Sequence, residues 1–212
     1  MPMRSTVLLS LIALVLASGA FAQSSGRDDA AKVKRHFKIE RPAHLSNQEA
    51  LTIYENIGRD MAKGYGASHD PAASQFRKWR RYNSAPYRSA THGNRYVNNY
   101  ANTKAAAYAK MKSGDKAPAG AVFAKDSFTV TSDGGVFGGA LFMMEKLSAG
   151  KSPKTADWRY WMILPDGSIF GDSRGDNAAE MAFCHGCHQS MGKRRDFLFY
   201  VPKKYRRQFL GD

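Results

Sequence analysis

Cysteine is the scarcest residue of this chain, with two copies among 212 residues, Cys184 and Cys187. No further cysteine is present to complete a four-cysteine zinc site around them. The pair alone is compatible with a disulfide, with half of a zinc site or with a thioredoxin-like redox pair. Thioredoxin-like pairs lie early in a βαβ unit, whereas this pair lies close to the end of the chain.

The two cysteines belong to a pentad at Cys184–His188 that reads Cys-His-Gly-Cys-His. Cys-x-x-Cys-His is the attachment signature of a c-type haem. Two thiols on one helical turn can add across the two vinyl groups of a porphyrin, and the next residue then carries its imidazole under the iron. We therefore predict one covalent haem c, attached at Cys184 and Cys187, with His188 as the iron ligand.

Long hydrophobic runs are absent from all but the N-terminus. An apolar stretch at residues 7–16 follows Arg4 and precedes the small-residue site Ala20-Phe21-Ala22, which predicts a cleaved signal peptide at residues 1–22. The stretch is short for a membrane span, and no later segment approaches about twenty unbroken apolar residues. No cysteine follows the cleavage site to carry a lipid. We therefore expect no stable membrane anchor. We expect a periplasmic location, because covalent haem attachment takes place in that compartment.

Acidic residues are few relative to basic ones, with 18 Asp and Glu against 32 Lys and Arg and a formal charge of +14. Such a balance occurs in nucleic-acid-binding proteins. The basic residues are nevertheless spread along the chain, and export removes the usual nucleic-acid partners. We expect no nucleic-acid partner, and two interpretations remain: an ordinary solvated surface, or a docking surface for an acidic periplasmic redox partner.

Internal repeats and low-complexity blocks are also absent, which argues against a solenoid or a multihaem array. The mature chain of about 190 residues is long enough for one domain with a sizeable core. Residues 23–45 are expected to be mostly disordered or extended, because the polar start of this segment has no apolar period. Residues 46–212 are predicted to form a single haem domain.

Local patterns predict an α+β fold with an antiparallel β-sheet core, flanking helices and a C-terminal haem-binding helix. Ser46 and Glu49 form a capping box before a helix at 47–63, and shorter helices are predicted at 71–81 and 103–112. Turn residues predict two hairpins, one pairing 121–130 with 136–146 and one pairing 158–164 with 168–171. Gly138 and Gly139 indicate a bulge or a close backbone approach in the first hairpin.

This order of elements excludes two common haem architectures. A small electron-transfer cytochrome carries its attachment motif early and a methionine ligand far downstream. Here the methionine that follows the motif is Met191, three residues after His188, which cannot reach the opposite face of the porphyrin. The hairpins are equally inconsistent with a four-helix bundle.

Five segments, in this order, make the chain similar to the cytochrome P-460 family, which includes the cytochromes c′-beta. They are residues 76–79, 92–98, 118–128, 158–170 and the terminal pentad with Asp196-Phe197-Leu198-Phe199. The resemblance implies a homodimer whose five-coordinate haem has His188 as proximal ligand and an open distal face for a small nitrogen compound. It also implies that Lys125 matches a strand lysine bonded to a meso carbon of the porphyrin, and that Arg95 matches a distal arginine.

The resemblance to the cytochrome P-460 family is compatible with two functions. The first is hydroxylamine oxidation, to nitrous oxide or nitric oxide, with Lys125 and Arg95 as catalytic residues. The second is nitric oxide capture without turnover, in an apolar distal pocket lined by residues such as Phe123, Phe128 or Phe142. Strand alternation alone does not decide whether Lys125 faces the haem or the solvent. Candidate proton acceptors are Glu145, Asp172 and Glu180, whereas His92 is interpreted as a turn residue and His185 as a spacer.

Overall fold

The computed structural model describes residue 39 and residues 41–208. The predicted signal peptide at 1–22, most of the predicted segment at 23–45, and residues 209–212 lie outside the described residues. Within the described part of the chain, no helix has both the length and the apolar character needed to cross a membrane.

Within the described residues, an antiparallel sheet of eight strands forms the centre of the fold and is accompanied by two α-helices and several short 3-10 helices. This architecture confirms the predicted α+β class. In chain order the elements are α1 (Asn47–Gly66), β1 (Arg80–Arg81), β2 (Tyr87–Ser89), β3 (Arg95–Ala101), β4 (Val122–Val130), β5 (Val136–Gly138), β6 (Leu141–Lys146), β7 (Trp158–Ile163), β8 (Ile169–Asp172) and α2 (Ala182–His188). The sheet runs in the order β1-β3-β4-β6-β7-β8, with β2 as a second partner of β3 and β5 as a second partner of β4.

The first helix, α1, begins with the predicted capping box. The Ser46 hydroxyl accepts the Glu49 N–H at 3.2 Å, and the Glu49 carboxylate accepts the Ser46 N–H at 2.7 Å. Tyr54, Met61 and Tyr65 are buried on one side of the helix. The predicted helix at 47–63 is therefore confirmed, and it continues to Gly66.

The predicted strand at 136–146 is divided into β5 and β6 by a close backbone approach at Gly139. The Gly139 N–H donates to the Ser127 carbonyl at 2.7 Å, and the Ser127 hydroxyl donates to the Ala140 carbonyl at 2.7 Å. A Cβ at position 139 would lie 3.1 Å from the Ser127 carbonyl oxygen, so glycine permits this contact. The predicted close approach is confirmed at Gly139.

The predicted helix at 71–81 is wrong over most of its length. The segment contains a 3-10 helix at Phe76–Lys78 and then enters β1, where Arg80 and Arg81 pair with Ala101 and Tyr100 of β3. The segment predicted as helical at 103–112 is a 3-10 helix at Thr103–Lys110, interrupted at Ala105. In the first case, pairing with a strand twenty residues away overrides the local helical preference.

The sheet separates two hydrophobic cores, because successive side chains of a strand lie on opposite faces. On β4, Ala124 and Phe128 belong to the core beneath α1, whereas Phe123 belongs to the core on the other face. That second core includes Trp158, Tyr160 and Met162 of β7, Met181 before α2, and Leu198 and Val201 of the C-terminal segment. The haem-attachment pentad therefore packs on the face of the sheet opposite α1.

Candidate functional site

The pentad occupies the last residues of α2, which follows a 3-10 helix at Ala178–Met181. Met181 is 1% exposed and anchors the start of α2 in the second core. Residues three and four apart share one side of a helix, so Cys184, Cys187 and His188 point in a common direction. All three line one cleft, and both cysteines are free thiols.

His188 is held by a hydrogen bond from its Nδ1 atom to the carbonyl oxygen of Phe197, at 2.8 Å. A carbonyl oxygen only accepts, so Nδ1 carries the proton and Nε2 keeps its lone pair for a metal. The ring lies between Phe199 and Tyr160, at centroid distances of 5.1 and 5.4 Å. Burial lowers the pKa of His188 to about 4, which keeps the imidazole neutral at pH 7.

A cleft that is partly open to solvent lies in front of α2. Its wall is mainly aromatic and apolar. Four polar side chains from other elements reach it: Thr91, His92, Asn99 and Lys125. The apolar part of the lining includes Tyr108, Phe123, Phe142, Met144, Leu198 and Phe199.

Lys125 lies on β4 with its side chain on the cleft side of the sheet. It is directly opposite Asn99 of β3 and Phe142 of β6, and all three residues line the cleft. Burial lowers the pKa of Lys125 to about 8. Lys125 therefore releases its proton more readily than an exposed lysine, and the amine faces the same space as His188.

The sequence over residues 73–200 matches the family model Cytochrome P460. The chain belongs to the cytochrome P460 family. The matched segment contains all eight strands and α2, whereas α1 precedes it. Among curated proteins, no sequence matches the chain.

Membership of the cytochrome P460 family implies a haem cofactor, and the residues of the cleft fit one. The two thiols and the imidazole with a free Nε2 are the donor set of the attachment signature, and they face a cleft with a largely aromatic and apolar lining. The Tyr160 hydroxyl is buried at the cleft and has no hydrogen-bond partner among the described residues. A polar atom of a group bound in the cleft would give this hydroxyl a hydrogen-bond partner.

Arg95, predicted as a distal arginine of the P460 site, is not among the residues that line the cleft. It begins β3, four residues before Asn99, which corresponds to about 13 Å along a strand. Its side chain lies near Gly139, where an added Cβ would come within 3.0 Å of the Arg95 Cδ atom, and burial lowers its pKa. The structure thus brings together Lys125, Cys184, Cys187 and His188, but not Arg95.

The sequence-based choice of proton acceptors also needs correction. Glu145 and Asp172 both bind Arg159, at 3.4 and 2.6 Å, and Arg159 stacks over Trp161 on the α1 side of the sheet. Glu180 is not part of the cleft lining either. Strand alternation in β6 and β7 places the Glu145–Arg159 pair on the face of the sheet opposite the cleft.

Phe128 is a further correction, because it stacks on Tyr54 and Tyr96 beneath α1 rather than lining the haem cleft. Phe123 and Phe142 do line the cleft, as predicted.

His92 and Asn99 are cleft residues that the sequence analysis did not place in the site. His92 lies in the short 3-10 helix Ala90–His92, is 7% exposed, and packs on Phe142 with a centroid distance of 5.0 Å. Its Nδ1 atom is 3.0 Å from the Ser89 hydroxyl. Asn99 could have been found once the register of β3 against Lys125 was known, but that register depends on contacts distant in sequence.

Proposed function

We propose that this cytochrome carries one covalent haem c and oxidises hydroxylamine, to nitrous oxide or nitric oxide. The observation that carries the proposal is the presence of Lys125 in the same cleft as Cys184, Cys187 and His188. A bound haem would supply the redox centre. The two thiols would hold it covalently, and His188 would ligate the iron from one side.

Lys125 supports the enzymatic form of this proposal. A lysine that is to bond to the edge of a porphyrin must first lose its proton and expose the lone pair of Nζ. Its lowered pKa, about 8, makes the neutral amine a much larger fraction at pH 7 than in an exposed lysine. The neighbouring Asn99 and Phe142 limit the directions in which the amine can point.

The aromatic lining of the cleft supports a second candidate, a nitric oxide-binding protein of the cytochrome c′-beta kind without turnover. Phe123 and Phe142 present apolar surface to the cleft, and a small neutral ligand needs no charged partner to occupy it. Under this alternative Lys125 would stay an unbonded amine.

Compartment and partners complete the proposal. We infer a periplasmic homodimer that passes electrons to an acidic periplasmic redox protein and has no nucleic-acid partner and no stable membrane anchor. Support comes from the predicted leader at 1–22, the haem-attachment pentad, the family resemblance and the formal charge of +14.

The optical spectrum of the purified ferrous protein tests the main proposal. A bond from Lys125 to the ring interrupts the conjugation of the porphyrin and moves its main band far to the red. We expect a red-shifted band and hydroxylamine turnover in the wild type, and loss of both in Lys125→Ala, which should still bind nitric oxide. Lys151→Ala, at an exposed loop lysine, is the matched control and should behave as the wild type.

The outcomes separate the two candidates. An ordinary c-haem spectrum in the wild type, with nitric oxide binding but no turnover, would favour the binding protein. Turnover retained in Lys125→Ala would contradict the role given to the lysine. A mass increase by one haem that survives denaturation would establish the covalent count.

A further inference from the structure

The carbonyl that holds His188 belongs to an unusual turn. Asp196 and Phe197 are consecutive residues in the left-handed region, with φ values of 46° and 62°. An L-residue with a bulky side chain rarely adopts this conformation, and it persists only where the surroundings fix it. The turn lies in the segment Asp196-Phe197-Leu198-Phe199, to which the haem-attachment chemistry assigns no role.

A buried ion pair fixes this turn. The Asp196 carboxylate is 2.7 Å from the Lys146 ammonium of β6, and the two residues are 3% and 9% exposed. Lys146 also donates to the Ala156 carbonyl at 3.0 Å and lies 4.8 Å from the centre of the Trp158 ring. The ammonium is therefore itself held in place by two other groups.

Further hydrogen bonds attach Asp196 to two other parts of the fold. Its second carboxylate oxygen accepts the Ala117 N–H at 2.9 Å, and its backbone carbonyl accepts the Trp158 indole N–H at 3.0 Å. Asp196 thus contacts three parts of the fold: the loop before β4, strand β6 and strand β7. It ties them to the peptide that precedes the Phe197 carbonyl. A displacement of Asp196 would move that carbonyl relative to His188.

We infer that Lys146 and Asp196 are positioning residues for the proximal side of the haem: their ion pair fixes the Phe197 carbonyl and thereby the hydrogen bond to His188. This inference rests on the proposed ligation of iron by His188. A hydrogen bond from the imidazole nitrogen that does not bind the metal sets the orientation and basicity of the ligand. It is also one of the means by which a protein adjusts the reduction potential of a haem.

Asp196→Asn is the most informative variant. Asparagine tolerates the left-handed conformation as aspartate does, so the backbone preference of the turn is preserved. The amide can still accept the Ala117 N–H with its oxygen, but its nitrogen then faces the Lys146 ammonium, donor against donor. The ion pair is lost while size and turn preference are kept.

Resonance Raman spectroscopy of the ferrous holoprotein reads the bond between iron and His188 directly. We expect the iron–histidine stretching band of Asp196→Asn to shift to lower frequency and broaden, and the reduction potential to rise. Lys146→Met, which keeps the packing on Trp158, should give the same shift of the band and provides the test if Asp196→Asn does not fold. Asp172→Asn, which removes a carboxylate from the Arg159 pair on the other face, is the matched control and should leave the band unchanged.

The possible results are distinct. An unshifted band in folded Asp196→Asn or Lys146→Met would overturn the positioning role while leaving His188 as the ligand. Absence of the iron–histidine band in a wild-type ferrous protein that is five-coordinate and high-spin would instead overturn the ligation itself, and the positioning role with it. An equal shift in Asp172→Asn would show that the band responds to general loosening, which also contradicts the inference.

Discussion

Lys125 and Asp126 are neighbours on β4 whose side chains lie on opposite faces of the sheet. Burial shifts the pKa of each in the direction that favours the neutral form of the group. Lys125 faces the haem cleft, and its pKa is lowered to about 8. Asp126 is completely buried beneath α1, and its pKa is raised to about 6. One strand thus carries an amine at the site and a carboxyl group in the opposite core.

The environment of Asp126 explains why a carboxyl group is tolerated there. One carboxylate oxygen accepts the Tyr54 hydroxyl at 2.5 Å, and the other accepts the Asn98 amide at 3.0 Å. The Tyr54 oxygen is also 2.7 Å from the Tyr100 hydroxyl. These bonds favour the charged form, but burial, which disfavours it, has the larger effect on the pKa.

The raised pKa of Asp126 predicts how stability depends on pH. Between about pH 4 and pH 6 the unfolded chain has released a proton that the folded state still holds on Asp126. The contribution of Asp126 to the free energy of unfolding is therefore fully present below pH 4 and is lost as the pH rises through 6. The loss is at most about 3 kcal/mol. In Asp126→Asn this dependence should disappear, because the new amide can donate to Tyr54 while Tyr54 donates to Tyr100.

Urea unfolding followed by circular dichroism from pH 4 to pH 7 measures this effect. Asp166→Asn is a suitable control, because Asp166 is an exposed turn carboxylate whose pKa is lowered by its bonds with Ser168. That variant should keep the wild-type slope above pH 4. A wild-type slope in Asp126→Asn would contradict the prediction.

Local signals sufficed for part of this fold. The capping box at Ser46 and Glu49 depends on residues three apart, so the start of α1 could be predicted from sequence. The hairpin turns at 133–135 and 165–167 were identified for the same reason, because the positive φ of Gly134 and Gly167 is a requirement of the turn itself. The attachment pentad is likewise a local pattern.

The remaining features depend on pairing between distant residues. Strand β1 forms because Arg80 and Arg81 meet β3, which no local preference indicates. The face occupied by Lys125 is decided by α1 covering the neighbours Ala124 and Asp126. Arg95 illustrates the same limit, because the pattern around it was recognisable while its distance from the cleft followed from the register of β3.

Replacement of each of the two histidines of the pentad should affect the haem spectrum differently. His188→Gly should keep its haem through Cys184 and Cys187 but lose the proximal ligand and the five-coordinate spectrum. Added imidazole should restore that spectrum, because the vacated space lies between Phe199 and Tyr160. Optical titration with imidazole measures the rescue.

His185→Gly is the matched control, since it places the same substitution in the same helix. His185 does not line the cleft, and its ring lies 6.0 Å from Tyr160 and 6.3 Å from Phe197. This variant should keep the wild-type spectrum without imidazole. A lost ligand in His185→Gly, or an unchanged spectrum in His188→Gly, would contradict the assignment of His188.

The C-terminal segment predicts how charge affects electron transfer. Among the described residues after His188, the acidic residue is Asp196, which is buried and paired with Lys146. Leu198 and Val201 pack this segment against the core that borders the cleft. The exposed basic side chains that it carries are Lys193, Arg194, Lys203, Lys204, Arg206 and Arg207.

A positive surface beside the haem should accelerate encounters with anionic oxidants, and salt should weaken this effect. We expect the oxidation of the ferrous protein by ferricyanide to slow with increasing ionic strength, and the double variant Lys193→Glu/Lys203→Glu to slow it roughly tenfold at low salt. Arg59→Glu/Lys63→Glu makes the same change in net charge on exposed residues of α1, across the sheet from the cleft, and should have a much smaller effect. Stopped-flow mixing measures both rates. Equal slowing by the two double variants would mean that net charge alone governs the encounter, and the C-terminal segment would then have no special role in docking an acidic redox partner.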